Sequence, residues 1–248
     1  MTDTPRFKIQ WHEKLNSTNI FLKHELLENS FDEFYVVCTK SQVKGKGQGD
    51  NKWESEDSKN LTFSLLLRPD FIEIQDQFVI SKAISIAIIN VLNRYKEGFC
   101  IKWPNDIYYQ NSKIAGILIE NSLIQNRIGT SIIGIGININ QTNFISDAPN
   151  PISLKQIINS ETEITEFLAE ILTSISEQYQ RLRNNDHTDI NTEYFNSLFR
   201  NTGTYKFKDE GGLFKASILG ISPYGHLILQ SSNNEEKSYA FKEVEFIL

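Results

Sequence analysis

Apolar residues recur along this chain with helical and strand-like spacings in turn. Residues 19–28 (NIFLKHELLE) put Ile20, Leu22, Leu26 and Leu27 at helical spacing, with Ser17 or Thr18 placed to cap the helix. Residues 34–39 (FYVVCT) and 61–67 (LTFSLLL) are short apolar runs that predict buried strands, the second ended by Arg68-Pro69-Asp70. Between them, residues 41–52 carry glycines and lysines without periodicity and predict a loop. Residues 77–95 are apolar over much of their girth, which predicts a helix packed on more than one side. Residues 100–103 predict a strand stopped by Pro104. Residues 106–109, 113–120 and 127–140 predict further strands, joined by polar turns at 110–112 and around 125–126. A long helix is expected over 165–183 and a shorter one over 190–199.

After Asn201 the texture changes. Five short strand candidates (204–208, 213–221, 226–230, 237–240 and 244–247) are separated by turn sequences such as Asp209-Glu210-Gly211-Gly212 and Ser222-Pro223-Tyr224-Gly225. Closely spaced short strands suggest a small barrel. The expected organisation is an α/β (α+β) domain over residues 1–200, with a mixed sheet and packed helices, then a small barrel over 201–248.

The 248 residues carry 25 Lys and Arg against 31 Asp and Glu, a formal net charge of −6. A global basic field for gripping nucleic acid is absent, so any anionic ligand must be met by a local group of lysines. Cys38 and Cys100 form no CxxC pattern, and the four histidines form no HExxH pair, which disfavours a disulfide framework and a zinc site. Residues 1–10 lack a signal-type apolar run, and no window approaches a membrane span, so a cytoplasmic protein with reduced thiols is expected. His12, His24, His187 and His226 read as surface or packing residues, Trp11 as core or hairpin packing, and Glu54-Ser55-Glu56-Asp57 as a solvated turn.

Four segments carry candidate chemistry. In residues 132–140 (IIGIGININ), alternation sends Ile133, Ile135, Ile137 and Ile139 to one face and Gly134, Gly136, Asn138 and Asn140 to the other. Either something flat lies on the bare glycines beside two carboxamides, or the glycines make room for bulky neighbours. Residues 44–49 (KGKGQG) can converge backbone N–H groups on an anion, or form a plain flexible basic loop. In residues 102–106 (KWPND), Asp106 is a candidate Mg²⁺ ligand and Lys102 a phosphate contact; the alternative is an ordinary Pro-Asn-Asp turn. In residues 113–120 (KIAGILIE), a lysine opens an apolar strand. Strict alternation puts Lys113 and Gly116 on opposite faces, so for one ligand to meet both, Lys113 must project from the turn.

Taken together and in this order, Ser17-Thr18-Asn19, QVKGKGQGDNKW (42–53), KWPNDI (102–107), KIAGILIE (113–120) and GIGININ (134–140) resemble biotin–protein ligase. The motif resemblance spans residues 17 to about 140 and extends to the C-terminus by architecture, since that family ends in an SH3-like barrel. It implies a two-step reaction. Biotin and ATP give biotinyl-5′-AMP and pyrophosphate, and a lysine of a biotin carboxyl carrier domain then takes the biotinyl group. By motif position, Ser17, Thr18, Asn19, Gln42, Gly45, Lys46, Lys113 and Gly116 are expected at the biotin, and Lys46, Gln48, Trp53, Lys102, Asn105, Asp106, Gly136 and Asn138 at the nucleotide. Asp106 is expected to hold Mg²⁺, and Lys113 and Lys46 to carry catalysis. The glycine loop is expected to order over the intermediate.

The sequence departs from the family where Lys46, Gln48 and Asn51 stand at common arginine positions. That shifts intermediate retention toward Lys44, Lys46 and Lys52. Only 16 residues precede Ser17, which implies the short form without the DNA-binding domain of some members. No nucleic-acid or membrane partner is expected, and the chain is expected to be a monomer or homodimer. The alternatives are a lipoate or octanoate ligase or transferase of the same fold, and a non-catalytic biotin-binding relative.

Overall fold

A computed structural model describes residues 6–49, 51–145 and 150–247. Among the described residues, seven strands form the main sheet: β1 (Lys8–Leu15), β2 (Tyr35–Gln42), β5 (Leu61–Leu67), β6 (Phe99–Lys102), β7 (Asp106–Tyr109), β8 (Ser112–Ile124) and β9 (Arg127–Ile137). Their spatial order is β1-β2-β5-β9-β8-β7-β6. Only β1 and β2 run parallel; the other neighbours are antiparallel, so the sheet is mixed as the sequence predicts.

One face of this sheet carries the core. Helix α2 (Phe78–Tyr95) is buried along most of its length and packs on α4 (Ile164–Arg183) and α5 (His187–Asn196). With the short turn before it, α2 forms a 22-residue stretch long and apolar enough to cross a membrane, contrary to the expectation that no window is. Most of that stretch is buried, as befits a core helix. Helix α4 is one-sided: Phe167, Leu168, Ile171, Leu172, Ile175, Tyr179 and Leu182 follow a 3.6-residue period and are buried. Helix α1 (Thr18–Glu28) covers part of the opposite face, where Leu22 packs with Val37, Leu66 and Ile132.

Five further strands, β10 (Tyr205–Asp209), β11 (Gly212–Ile221), β12 (Leu227–Ser231), β13 (Glu236–Tyr239) and β14 (Glu245–Phe246), form a separate antiparallel sheet in the order β13-β12-β11-β10-β14. This sheet is consistent with an SH3-like unit. Its inner residues, such as Phe207, Leu229 and Phe246, join the same continuous core as the main sheet.

Several expectations need correction. The 41–52 segment is not all loop, because β3 (Gly45–Lys46) and β4 (Lys52–Trp53) pair as a small hairpin. Two-residue strands are too short to show periodicity. Strand β1 and a short helix α3 (Leu154–Ile158) were not anticipated. Strand β9 ends at Ile137 rather than Asn140, since Asn140 N–H turns to Lys59 O and its carboxamide pairs with Thr162. The second short helix begins three residues earlier than expected, at His187. Ser17 is the N-cap of α1 by position, but its side chain makes no cap hydrogen bond. Trp11 lies on the edge strand β1 and is 38% exposed, so it is not core. Glu54 is half-buried and accepts from Gln141 Nε2 and the Ile145 amide, so it is not part of a merely solvated turn.

Candidate functional site

The register of the sheet lines the candidate residues up. Thr62 of β5 pairs with Gly136 of β9, Gly136 with Gly116 of β8, Gly116 with Asp106 of β7, and Asp106 with Lys102 of β6. Directly opposed residues on neighbouring strands project to the same face. One row across five strands therefore reads hydroxyl, bare backbone, bare backbone, carboxylate, ammonium. It lies on the face away from α2. The next row runs Ser64, Gly134, Leu118.

The glycines are required by what lies on them. A Cβ on Gly136 would sit 2.3 Å from Cε2 of Trp53, and one on Gly134 would sit 2.3 Å from Oδ1 of Asn19. The bare positions make room for bulky neighbours, and both glycines also line a cavity.

Lys113 reaches this face by a route that simple alternation misses. The register between β7 and β8 pairs Ile107 with Ala115 but Tyr108 with Lys113, so Ile114 forms a bulge. The extra residue resets the alternation and brings Lys113 to the side of Asp106 and Gly116. Its Nζ lies 2.6 Å from Asp106 Oδ1 and 3.5 Å from where a Gly116 Cβ would stand.

The face opens into a cavity of about 850 Å³, inside the range of roughly 300–1,000 Å³ usual for small-molecule sites. Every predicted site residue lines it except Gly45. A Cβ on Gly45 would approach Trp53 O to 2.4 Å and Gln42 Nε2 to 2.8 Å, so that glycine lets β3 pass close to β4 and Gln42. Lys44 does not line the cavity either, whereas Lys46 and Lys52 do. Lysines outnumber carboxylates five to three in the lining (Lys46, Lys52, Lys102, Lys113 and Lys242 against Glu54, Asp106 and Glu245). An acidic chain thus presents a locally positive pocket.

Several predicted residues are held by the fold. Gln42 Oε1 accepts from the Thr18 amide at 3.0 Å. Asn19 donates to Glu120 Oε2, and its Oδ1 lies 2.5 Å from Ser64 Oγ, which ties α1 to the sheet. Asn105 donates to Ile117 O and accepts from the Ile117 amide, pinning the turn before β7. Tyr194 OH donates to Pro104 O, and Trp103 Nε1 to Gly225 O, so α5 and the second sheet brace the same turn. Lys102 Nζ lies over the rings of Tyr108 and Phe246 at 5.0 and 5.5 Å. Burial pushes its ammonium below the usual lysine range, Asp106 opposes that, and Lys113 adds to it.

Eight buried side-chain N or O atoms lack a hydrogen-bond partner among the described residues, and four of them line this cavity: Gln48 Oε1, Trp53 Nε1, Thr62 Oγ1 and Asn138 Oδ1. Orphaned buried polar atoms are rare, and their clustering marks a place where a ligand completes the bonding. The sequence reading missed Thr62, although its polar position in an apolar strand was a usable signal. It also missed Phe241, Val244, Glu245 and Phe246, which reach the cavity from the second sheet. No local pattern announces such distant residues.

The profile described as the biotin/lipoate A/B protein ligase family matches residues 11–138. The chain belongs to that family. Among family relatives, the bifunctional ligase/repressor BirA of Bacillus subtilis is 29% identical over 238 residues, covering 93% of this chain and 71% of the relative. Among solved structures, the biotin protein ligase from Aquifex aeolicus in complex with biotin and ATP superposes with a TM-score of 0.80 at 24% identity, over 97% of this chain and 98% of that one. Biotin acetyl coenzyme A carboxylase synthetase from Helicobacter pylori, with bound biotinylated ATP, gives 0.58 at 20% identity, over 94% and 100%. At these identities the two structures speak to the shared family fold, including the second sheet.

Proposed function

We propose that this chain is a biotin–protein ligase. It activates biotin with ATP to biotinyl-5′-AMP and passes the biotinyl group to a lysine of a biotin carboxyl carrier domain. The observation that carries the reading is the row Thr62-Gly136-Gly116-Asp106-Lys102 with Lys113 folded onto it, inside a cavity rich in lysine and in orphaned polar atoms. The names of the relatives support biotin as the acid and ATP as the activating nucleotide.

The first step joins two anions. A biotin carboxylate oxygen bonds to the α-phosphorus of ATP as the bond to the β-phosphate oxygen breaks, and pyrophosphate leaves. Two unit charges ~4 Å apart repel by about 4 kcal/mol at an effective dielectric near 20. Lys113 stands where it can offset that repulsion, steadied by Asp106 at 2.6 Å. Lys46 at the exposed mouth and Lys102 under Phe246 add positive charge toward the phosphates. Trp53 Nε1 and Asn138 Oδ1, a donor and an acceptor without partners, suit the nucleotide. In the second step the neutral amine of the acceptor lysine bonds to the biotinyl carbonyl carbon, AMP leaves, and the amine gives up a proton. No protein nucleophile is needed in either step.

Mg²⁺ fits as the ion that accompanies ATP. No group of three potential metal-ligating side chains exists among the described residues, and Asp106 is shared with Lys113. One carboxylate plus substrate phosphates is an ordinary Mg²⁺ arrangement. Such an ion would neutralise phosphate charge, and Asp106 would hold it.

The test is direct. Purified protein, biotin, Mg²⁺ and ATP are incubated with a biotin carboxyl carrier domain, and the intact mass of the carrier is measured. Addition of one biotinyl group is expected. A carrier left unmodified by this protein, but modified by a known ligase, would overturn the reading.

A further inference from the structure

We infer that Thr62 is a specificity-determining residue that hydrogen-bonds the ureido ring of biotin; the inference rests on the ligase reading above. Thr62 is 4% exposed, lines the cavity, and its Oγ1 has no partner among the described residues. Two neighbouring hydroxyls on the sheet, those of Ser64 and Thr39, are already engaged. Ser64 Oγ lies 2.7 Å from Thr18 Oγ1 and 2.5 Å from Asn19 Oδ1, and Thr39 Oγ1 donates to Ser41 O. Of these three hydroxyls, that of Thr62 is the one without a partner among the described residues.

Its place in the row says which end of the acid it meets. The Lys113 ammonium stands over Gly116 of β8, which fixes the carboxylate end. Thr62 lies two strands away on β5, about 10 Å along the row at the usual inter-strand spacing. An acid with an extended tail held by its carboxylate over β8 brings its head group over β5. The Trp53 indole lies over Gly136 between the two.

The chemistry selects the head group. A hydroxyl both donates and accepts, and a ureido ring offers N–H donors and a carbonyl acceptor, whereas a thioether is only a weak acceptor. The alkyl chain of octanoate and the dithiolane of lipoate would leave Thr62 buried and unpaired. Discrimination against analogues that lack a polar partner is strong for that reason.

The experiment is isothermal titration of biotin, desthiobiotin and ATP into the wild type, Thr62→Val and Thr62→Ser, with melting curves for all three proteins. Thr62→Val is expected to bind biotin and desthiobiotin about tenfold more weakly, with ATP affinity unchanged. Thr62→Ser is expected to bind both acids within about twofold of the wild type. The free Thr62→Val protein is expected to melt no lower than the wild type, since it loses an unsatisfied hydroxyl. Equal biotin affinity in Thr62→Val and the wild type would overturn the inference. So would a loss seen with biotin but absent with desthiobiotin, which would assign the contact to sulfur. A wild type that binds no biotin would instead overturn the ligase reading.

Discussion

The two faces of the central sheet are made by the same strands and do opposite work. In β5, Leu61, Phe63, Leu65 and Leu67 are fully buried in the main core with the helices, while Thr62 and Ser64 turn to the other side. In β9, Ile133, Ile135 and Ile137 pack inward, while Gly134 and Gly136 leave backbone bare for Asn19 and Trp53. The packed face is specified by large apolar side chains. The open face is specified by what is left out. Substitutions should therefore separate cleanly, with stability lost on one side and chemistry on the other.

The largest separation is expected at Lys113. Lys113→Ala should slow adenylation about 100- to 1,000-fold, while its stability stays within about 1 kcal/mol of the wild type, because the ion pair with Asp106 is partly solvated. Single-turnover formation of biotinyl-5′-AMP and a urea titration check the two halves, and wild-type turnover would remove Lys113 from the mechanism. Gly136→Val should cost at least about 100-fold in adenylation, because its side chain collides with Trp53 and fills the floor. Its immediate neighbour on the packed face, Ile135→Ala, should instead lose about 2–5 kcal/mol of stability and keep its activity per folded molecule. Similar stability losses and similar activity losses for the two variants would erase the distinction between the faces.

A subtler test lies in the core itself. Lys82 of α2 is 6% exposed, donates to Asn191 Oδ1 at 2.7 Å, and lies near the rings of Phe78 and Tyr194. Burial lowers its ammonium from 10.5 to about 8, with Asp76 partly opposing the shift. Below pH 8 the group is charged in both folded and unfolded states, and the cost of burying that charge is fully present. From about 8 toward 10.5 the unfolded chain binds more protons than the folded one, so stability rises with pH and the cost is relieved. Lys82→Met should therefore be more stable than the wild type at pH 7, by at most about 3 kcal/mol. The gap should narrow by pH 10, and paired thermal melts at the two pH values read it. The smallest effect is expected at Gln48, whose Oε1 lacks a partner beside the cavity. Gln48→Arg should slow release of biotinyl-5′-AMP a few-fold by adding a charge toward the phosphate, as followed by filter retention of the labelled intermediate.

The same contrast explains what was legible in the sequence. The packed face was readable because apolar alternation repeats itself: β5 and β7 fall on the predicted residues, and α2 and α4 start one residue away from them. In the site, Lys113, Gly116 and Gly136 were readable because glycine or lysine interrupts an apolar strand there, and Asp106 because a Pro-Asn-Asp turn ends one; Ser17, Thr18, Gln42 and Trp53 were expected from the motif resemblance alone. Strand β1 stayed hidden because it is an edge strand with exposure along nearly all its length, so it carries no buried stripe. Helix α3 did announce itself through the Ser153-to-Gln156 capping box, a signal that the reading passed over. The Ile114 bulge and the arrival of Phe246 over Lys102 depend on register and on chain-distant packing. Neither follows from a local pattern.

The central claim is that the open face is where biotin and ATP meet. Exchange of labelled pyrophosphate into ATP, measured with biotin, lipoate and octanoate in turn, tests it most directly. The account predicts Mg²⁺-dependent exchange with biotin and background exchange with the other two acids. Exchange driven by lipoate or octanoate, or none with biotin, would contradict it.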